Sequence, residues 1–424
     1  MEEKVQRRIR MLRSHLVRHH VPPVTGSLLE TVSLRAEQLT EVSSPGNPVV
    51  IGGMVLDIHA IPSARPGPRT TTPGEVIYIR GGVARNIADC MSKLGAEPFM
   101  MSAVGLDMAG SMLLEQWKSL GLSVEGICQI QTIGTAVVCC LFDSDGEVAG
   151  GVASFEAVEK FLTPEWIQRF DDRMYSAPIA ILDANLNLAA IEASCKMAAK
   201  SNVPLWFEPV SVAKSTKIVS VAKYVTYTSP NTDELLAMAH ALSPESHIDS
   251  IQCYDGPTDE SPGSLFLKLK SAIGVLLHKG IDLVMVTLGP KGVFLCSEGV
   301  GNFSQTLPKK TAPCMDEQLF SIVVKSCPLR LFNDAKLESR SSEFLAVHLP
   351  GLPASVKRVT GAGDCLVGAT VASICSGLNI VQATSVGIAV AKATVEDVAN
   401  VPSTFDLQRL AGDAEAVFHS AKVL

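Results

Sequence analysis

The sequence predicts an α/β protein with a central, mostly parallel sheet flanked by helices and a small antiparallel β lid. Three observations carry that expectation. From Pro48 onward, short apolar runs alternate with helix-compatible segments, the pattern of a parallel sheet covered on both faces. Two regions, 75–80 and 135–142 with 147–153, instead alternate apolar with polar or small residues, which suits a sheet half buried and half solvated. Near the C-terminus, Arg358-Val359-Thr360-Gly361-Ala362-Gly363-Asp364-Cys365 runs a turn of small residues into an uncharged, helix-compatible stretch.

Residues 1–46 differ in character from the rest. Lys4, Arg7, Arg8, Arg10, Arg13 and Arg18 make the first segment basic, and Pro22-Pro23 and Ser43-Ser44-Pro45-Gly46 punctuate it as a linker. A solvated helix or a disordered extension accounts for it. Glu2 and Glu3 count against a mitochondrial transit peptide, because such peptides are poor in acids, and the expected location is cytoplasmic. The main domain is expected over 47–424. Its large-sheet strands are predicted at 48–54, 99–104, 178–182, 204–207, 224–228, 283–287, 292–296 and 343–348, with lid strands within about 57–80 and 135–153. Segments 242–263 and 298–342 read as surface insertions.

The uncharged run 365–391 exceeds the roughly 20 residues that span a bilayer. Ser373, Ser376, Asn379, Gln382, Thr384 and Ser385 would be costly in lipid, and Gly377-Leu378-Asn379 looks like a helix stop. Two buried helices are expected there, and no membrane partner. With 424 residues, 47% hydrophobic and 19% charged, the chain can bury a large core. A net charge of -7 with no basic stripe argues against a nucleic-acid polymer as partner. Its 11 cysteines lack a CxxC pair or zinc-ligand spacing and read as reduced packing thiols.

The C-terminal turn carries the chemistry. With no bulky side chain between Thr360 and Asp364, backbone N–H groups at the helix start can converge on an anion, aided by the helix dipole. An aspartate beside such a pocket suits acceptance of a proton from a hydroxyl that attacks phosphorus. The plainer alternative is a glycine turn whose aspartate caps the helix.

The longer string VTGAGDCLVGA resembles the C-terminal signature of the PfkB family of sugar and nucleoside kinases, the ribokinase-like fold. Other segments match that family in order. They are Gly52-Gly53-Met54-Val55-Leu56-Asp57, Arg80-Gly81-Gly82-Val83-Ala84-Arg85-Asn86, Ser229-Pro230-Asn231-Thr232-Asp233-Glu234 and Val286-Thr287-Leu288-Gly289-Pro290-Lys291-Gly292, within a resemblance spanning roughly 48–403. The resemblance implies ATP-dependent phosphoryl transfer to a nucleoside 5′-hydroxyl under a lid that excludes water. It implies Asp364 as general base, with the backbone of Gly361, Ala362 and Gly363 forming the anion hole. Asp57, Gly81, Gly82 and Asn86 would bind the sugar. Asn231, Thr287, Gly289, Gly292, Thr360 and Asn400 would bind the nucleotide, and Asn231 and Glu234 would hold Mg2+ through water.

Local details, Gly82-Val83-Ala84-Arg85-Asn86, Leu182-Asp183-Ala184-Asn185-Leu186 and Trp206-Phe207-Glu208-Pro209-Val210-Ser211 with Lys214, resemble the pseudouridine-phosphorylating branch of the family. A kinase for ribose or adenosine and a catalytically silent binding protein are the alternatives. The spacing of Gly361, Gly363 and Gly368 is not GxGxxG, which weakens a dehydrogenase. Several of these residues also have ordinary structural readings. Asp57 suits a turn, Asn231 and Glu234 have capping-box spacing, Asn400 suits a loop, Cys365 suits packing, and Arg85 suits an ion pair with a carboxylate. Arg358 stands where many relatives carry an aspartate that helps hold an activating monovalent cation, so that cation is in doubt and Arg358 is expected to supply the charge. By analogy, a homodimer through the lid is expected.

Overall fold

The computed structural model describes residues 46–67, 69–143, 148–245, 260–299, 301–304, 314–328 and 344–424. The expected basic extension up to Pro45, residues 246–259 of the first expected insertion, and 300, 305–313 and 329–343 of the second lie outside the described residues.

The strands, in chain order, are β1 (Val49–Ile51), β2 (Val55–Pro62), β3 (Gly74–Gly81), β4 (Phe99–Gly105), β5 (Ile127–Ile130), β6 (Ala136–Phe142), β7 (Val148–Ser154), β8 (Ala180–Asp183), β9 (Leu205–Glu208), β10 (Tyr227–Thr228), β11 (Leu283–Thr287), β12 (Val293–Ser297), β13 (Leu345–Leu349) and β14 (Lys422–Val423). A large sheet has the order β14-β13-β12-β11-β10-β9-β8-β1-β4-β5. It is parallel from β11 through β5, and β12, β13 and β14 pair antiparallel at one edge. β1 and β4 are buried along their whole length, which is why their sequences read as continuous apolar runs.

Two predicted strands shrink. The segment 48–54 pairs only over Val49–Ile51, because Gly52 and Gly53 leave the sheet and carry the chain into β2. The segment 224–228 pairs only at Tyr227–Thr228, because Ala222–Tyr224 forms a 3-10 turn. β5 and β14 are short edge strands that the sequence pattern does not reveal.

The small sheet has the order β3-β2-β6-β7. Each hairpin is antiparallel, but the seam between β2 and β6, the first strands of the two hairpins, is parallel. The expected antiparallel lid is this sheet, with one parallel seam joining its two antiparallel hairpins.

The 365–391 run forms two helices, Ala362–Cys375 and Ile380–Val395, buried on nearly every side. Several of their hydroxyls are satisfied within the helix: Thr370 donates to Leu366 O at 2.7 Å, Ser373 to Ala369 O at 2.7 Å and Ser385 to Val381 O at 2.9 Å. Gly377, at φ 100°, ends the first helix, and an Asn379–Gln382 capping box starts the second. Among the described residues, no helix is long and apolar enough to cross a membrane.

Part of the second expected insertion belongs to the core. The Glu317–Ser326 helix buries Leu319 and Val323, Cys327 follows them inward, and Gln382 Nε2 donates to Cys327 O at 2.7 Å. Leu319 and Val323 are four residues apart, so one turn of helix puts them on one face.

Candidate active site

Gly361 is the N-cap of the Ala362–Cys375 helix and adopts the left-handed conformation, φ 86° and ψ −11°. Only glycine fits there, since a Cβ would lie 2.2 Å from Asn400 O. The Ala362 N–H donates to Val359 O at 3.3 Å and the Cys365 N–H to Gly361 O at 2.9 Å. Ala362 is thus partly engaged within its own turn, whereas Gly363 is exposed with open space where a side chain would stand. Thr360 is likewise exposed beside the turn.

Asp364 lies in the first turn of this helix and accepts from Asn86 Nδ2 at 2.7 Å. It keeps some solvent contact, yet burial of the carboxyl among protein atoms pushes it up to about 6. The Asn86 N–H and the Arg85 charge oppose that rise, while the Asp183 and Asp57 charges add to it. A carboxylate poised near neutrality is a competent proton acceptor at physiological pH.

Asp57 sits inside β2 and not in a turn. Asn400, 2% exposed, directs Nδ2 at Asp57 Oδ2 (3.4 Å) and Arg80 O (3.5 Å). Asn400 was expected among the nucleotide residues, and its side chain is turned toward Asp57, which was expected to bind the sugar. Its buried Oδ1 has no hydrogen-bond partner among the described residues. Burial raises the Asp57 carboxyl, against the pull of Asn400, Arg358 and Arg85. A Cβ at Gly81 would lie 2.3 Å from Asp57 Oδ2, so a side chain there would displace that carboxyl. Gly82, at φ 99°, would meet Gly53 O at 2.4 Å.

Arg358 bridges to the lid: Nη2 stands 3.4 Å from His59 Nε2 on β2, and Nη1 donates to Val398 O at 3.4 Å. Cys365 is buried, its Sγ 3.6 Å from Asn400 O, consistent with packing.

A second cluster forms where β10 and β11 end. Asn231 and Glu234 make a reciprocal capping box, both bonds 2.9 Å, at the start of the Thr232–Leu242 helix. Asn231 bridges to Thr287, whose N–H donates to Pro230 O at 2.9 Å. Gly289 (φ 56°) and Gly292 (φ 93°) bound the tight turn that follows, and a Cβ at Gly292 would lie 2.1 Å from Leu349 O. Glu234 is 6% exposed, and burial raises its carboxyl. The capping box consumes Oε2 and leaves Oε1 available.

Three residues of this region escape assignment to the site from sequence. Asp183, fully buried at the end of β8, accepts from Gly53 N (3.0 Å), Ala84 N (3.1 Å) and Asn185 N (3.0 Å). Glu208, at the end of β9, accepts from the Ser229 hydroxyl, and burial pushes its carboxyl well up, with Asp364, Glu234 and Asp183 adding to the rise. Arg85 pairs with Asp89, as its structural reading expected, but it also reaches Asn86. For the two acids, the available signal is a charged residue at the end of each apolar strand.

A profile of the pfkB family carbohydrate kinases matches residues 47–312. Over 380 residues the chain is 48% identical to the pseudouridine kinase of Arabidopsis thaliana, covering 89% of this chain and 98% of that one. The chain belongs to the pfkB family of carbohydrate kinases. It is also 27% identical over 183 residues to the pseudouridine kinase of Escherichia coli strain K12, covering 43% of this chain and 58% of that one. Among solved structures, Arabidopsis thaliana ribokinase complexed with ribose and ATP superposes with a TM-score of 0.63 at 17% identity, covering 87% of this chain and 98% of that one. Ribokinase of Thermotoga maritima does so at 0.61 and 19%, covering 88% and 100%. The ribokinase-like fold expected from the sequence is the fold of this pfkB protein.

Proposed function

We propose that this pfkB-family chain transfers the γ-phosphoryl group of ATP to the 5′-hydroxyl of pseudouridine, giving pseudouridine 5′-phosphate and ADP. The observation that carries the reaction is Asp364, a carboxyl held near neutrality at the start of a helix beside the Gly361 turn. The nucleoside rests on 48% identity across 98% of the Arabidopsis pseudouridine kinase.

In this reading Asp57 accepts hydrogen bonds from the vicinal sugar hydroxyls, Asn400 braces it, and Gly81 and Gly82 let the backbone approach. Asp364 takes the 5′-hydroxyl proton as that oxygen bonds to the γ-phosphorus and the bond from phosphorus to the ADP oxygen breaks. Backbone N–H groups of Gly361, Ala362 and Gly363 face the transferring phosphoryl group, with Gly363 the least encumbered. Thr360, Asn231, Thr287, Gly289 and Gly292 border the nucleotide. Mg2+ fits as an ion held through its own waters by Asn231 and by the Glu234 oxygen that the capping box leaves over, where it would offset phosphate charge. No cluster of three acidic, histidine or cysteine ligands exists among the described residues, so a fully dehydrated site does not fit.

Arg358, set against His59 and Val398, supplies charge in place of a monovalent cation. The kinase domain runs over 47–424 after an N-terminal extension and works in the cytoplasm. Its lid exposes Val76, Tyr78, Leu141 and Val152 on the face opposite Asp57 and His59, a surface suited to a second copy.

The test is ADP release from ATP and Mg2+ with pseudouridine, uridine, adenosine and ribose in parallel. Pseudouridine-selective turnover, abolished in Asp364→Asn, is expected. Turnover confined to another acceptor would overturn the substrate, and none with any acceptor would overturn the kinase.

A further inference from the structure

Arg85 lies on the Val83–Lys93 helix and is 3% exposed, and its guanidinium organises the residues around the candidate proton acceptor. Nη1 donates to Arg80 O at 2.7 Å and to Asn86 Oδ1 at 2.8 Å. Nη2 pairs with the Asp89 carboxylate one turn on and reaches Gln116 Oε1 at 3.4 Å. Asp89 is itself held by Lys93 at 3.2 Å.

A guanidinium has donors only, so the Asn86 atom that faces it must be the oxygen. The amide nitrogen then has one direction left, and it points at Asp364 Oδ2, 2.7 Å away. Turning the amide over would set NH2 against guanidinium and oxygen against carboxylate, two repulsive contacts in a buried site.

We propose that Arg85 is a positioning residue for phosphoryl transfer, locking the Asn86 amide in the orientation that donates to Asp364 and so aiming the other carboxylate oxygen at the acceptor hydroxyl. This rests on the reading of Asp364 as the proton acceptor. The groups facing Asp364 are Arg85 and Asn86 from the Val83–Lys93 helix, Asp57 from β2, Asp183 from the end of β8 and Glu208 from the end of β9. Arg85 is the cation among them, and both its charge and the N–H it fixes favour the ionised form of Asp364.

Two variants test it, each assayed for kcat, KM and pH profile beside Asp364→Asn. Arg85→Met with Asp89→Leu removes both charges of the pair, so neither is left as a lone buried ion, and leaves Lys93 its bond to Val401 O at 3.4 Å. Arg85→Lys keeps the charge but cannot hold Asn86 and Asp89 together in one plane. In folded protein the double variant is expected to lose on the order of 10²-fold in kcat, the scale of a small misplacement, with KM for both substrates little changed. The acid limb of its kcat/KM profile should move to higher pH, and Arg85→Lys should fall between it and the wild type. Wild-type kcat and an unmoved acid limb in the folded double variant would overturn the proposal. If that variant does not fold, Arg85→Lys decides alone: wild-type kcat and pH profile overturn it, and a reduced kcat with unchanged KM supports it. Activity surviving in Asp364→Asn would instead remove the general base, a different failure.

Discussion

Asp183 accepts the backbone N–H of Gly53 at 3.0 Å, and with the same oxygen it takes the Ala84 N–H at 3.1 Å. One buried carboxylate thereby pins the start of the lid crossing to the start of the Val83–Lys93 helix, and both Asn86 and Asp57 act on Asp364. Three backbone donors converge on it, counting Asn185. Asp183→Ala would leave them without an acceptor in a dry site, while relieving the burial that raises this carboxyl, so a net loss of about 1–3 kcal/mol is expected. Thermal unfolding measures it, and a change in Tm no larger than that of a surface substitution would refute this account.

Asp364→Asn should abolish turnover and yet stabilise the ligand-free protein at neutral pH. Burial raises this carboxyl from 3.8 to about 6, so the folded state resists its ionisation. Stability is fully present below pH 3.8 and declines as pH rises through 6. The gap is worth at most about 3 kcal/mol, and solvent contact reduces it to roughly 1–2 kcal/mol. Tm of the variant should exceed wild type at pH 8 and match it at pH 4.

As the proposed proton acceptor, the same carboxyl should set the acid side of the activity profile. kcat/KM should fall about tenfold per pH unit below about 6, where Asp364 is protonated and cannot accept the hydroxyl proton. A profile flat to pH 5 would place the proton elsewhere.

Gly363 and Gly361 separate ligand obstruction from fold damage. A Cβ at Gly363 meets nothing within 4 Å, so Gly363→Ala should fold with unchanged Tm while losing on the order of 10²-fold in kcat if a phosphoryl oxygen occupies that space. At Gly361 the positive φ and the 2.2 Å approach to Asn400 O predict lost stability as well. Wild-type kinetics in Gly363→Ala would move the phosphoryl group away from this turn.

Arg358 predicts indifference to potassium. Its guanidinium already stands between His59 and Val398 O, so replacing potassium by a bulky organic cation at matched ionic strength should leave turnover unchanged. Strong activation by potassium would contradict the assignment.

What can be read from the sequence is local. The Gly361 turn, the Asn231–Glu234 spacing and the apolar runs of β1, β4 and β11 are contiguous, and each declares itself through glycine geometry, capping chemistry or burial. The contacts that complete the site join residues far apart. Asp183 meets Gly53 across 130 positions and Asn400 meets Asp57 across 343, and nothing in either neighbourhood marks the partner. The parallel β2/β6 seam is hidden for a related reason: alternation identifies a half-buried strand but not its direction. Cys327 and the Glu317–Ser326 helix read as surface in the sequence because the polar stretches around them mask one inward face.

Asp364 and Asn86 touch at 2.7 Å although 278 positions separate them. Asp57, Gly81 and Asn86 precede β4, whereas the helix that bears Asp364 follows β13. A fragment that stops before this helix would hold Asp57 and Asn86 without the carboxyl to which Asn86 donates, so the proposed proton acceptor exists only in a chain that carries both segments.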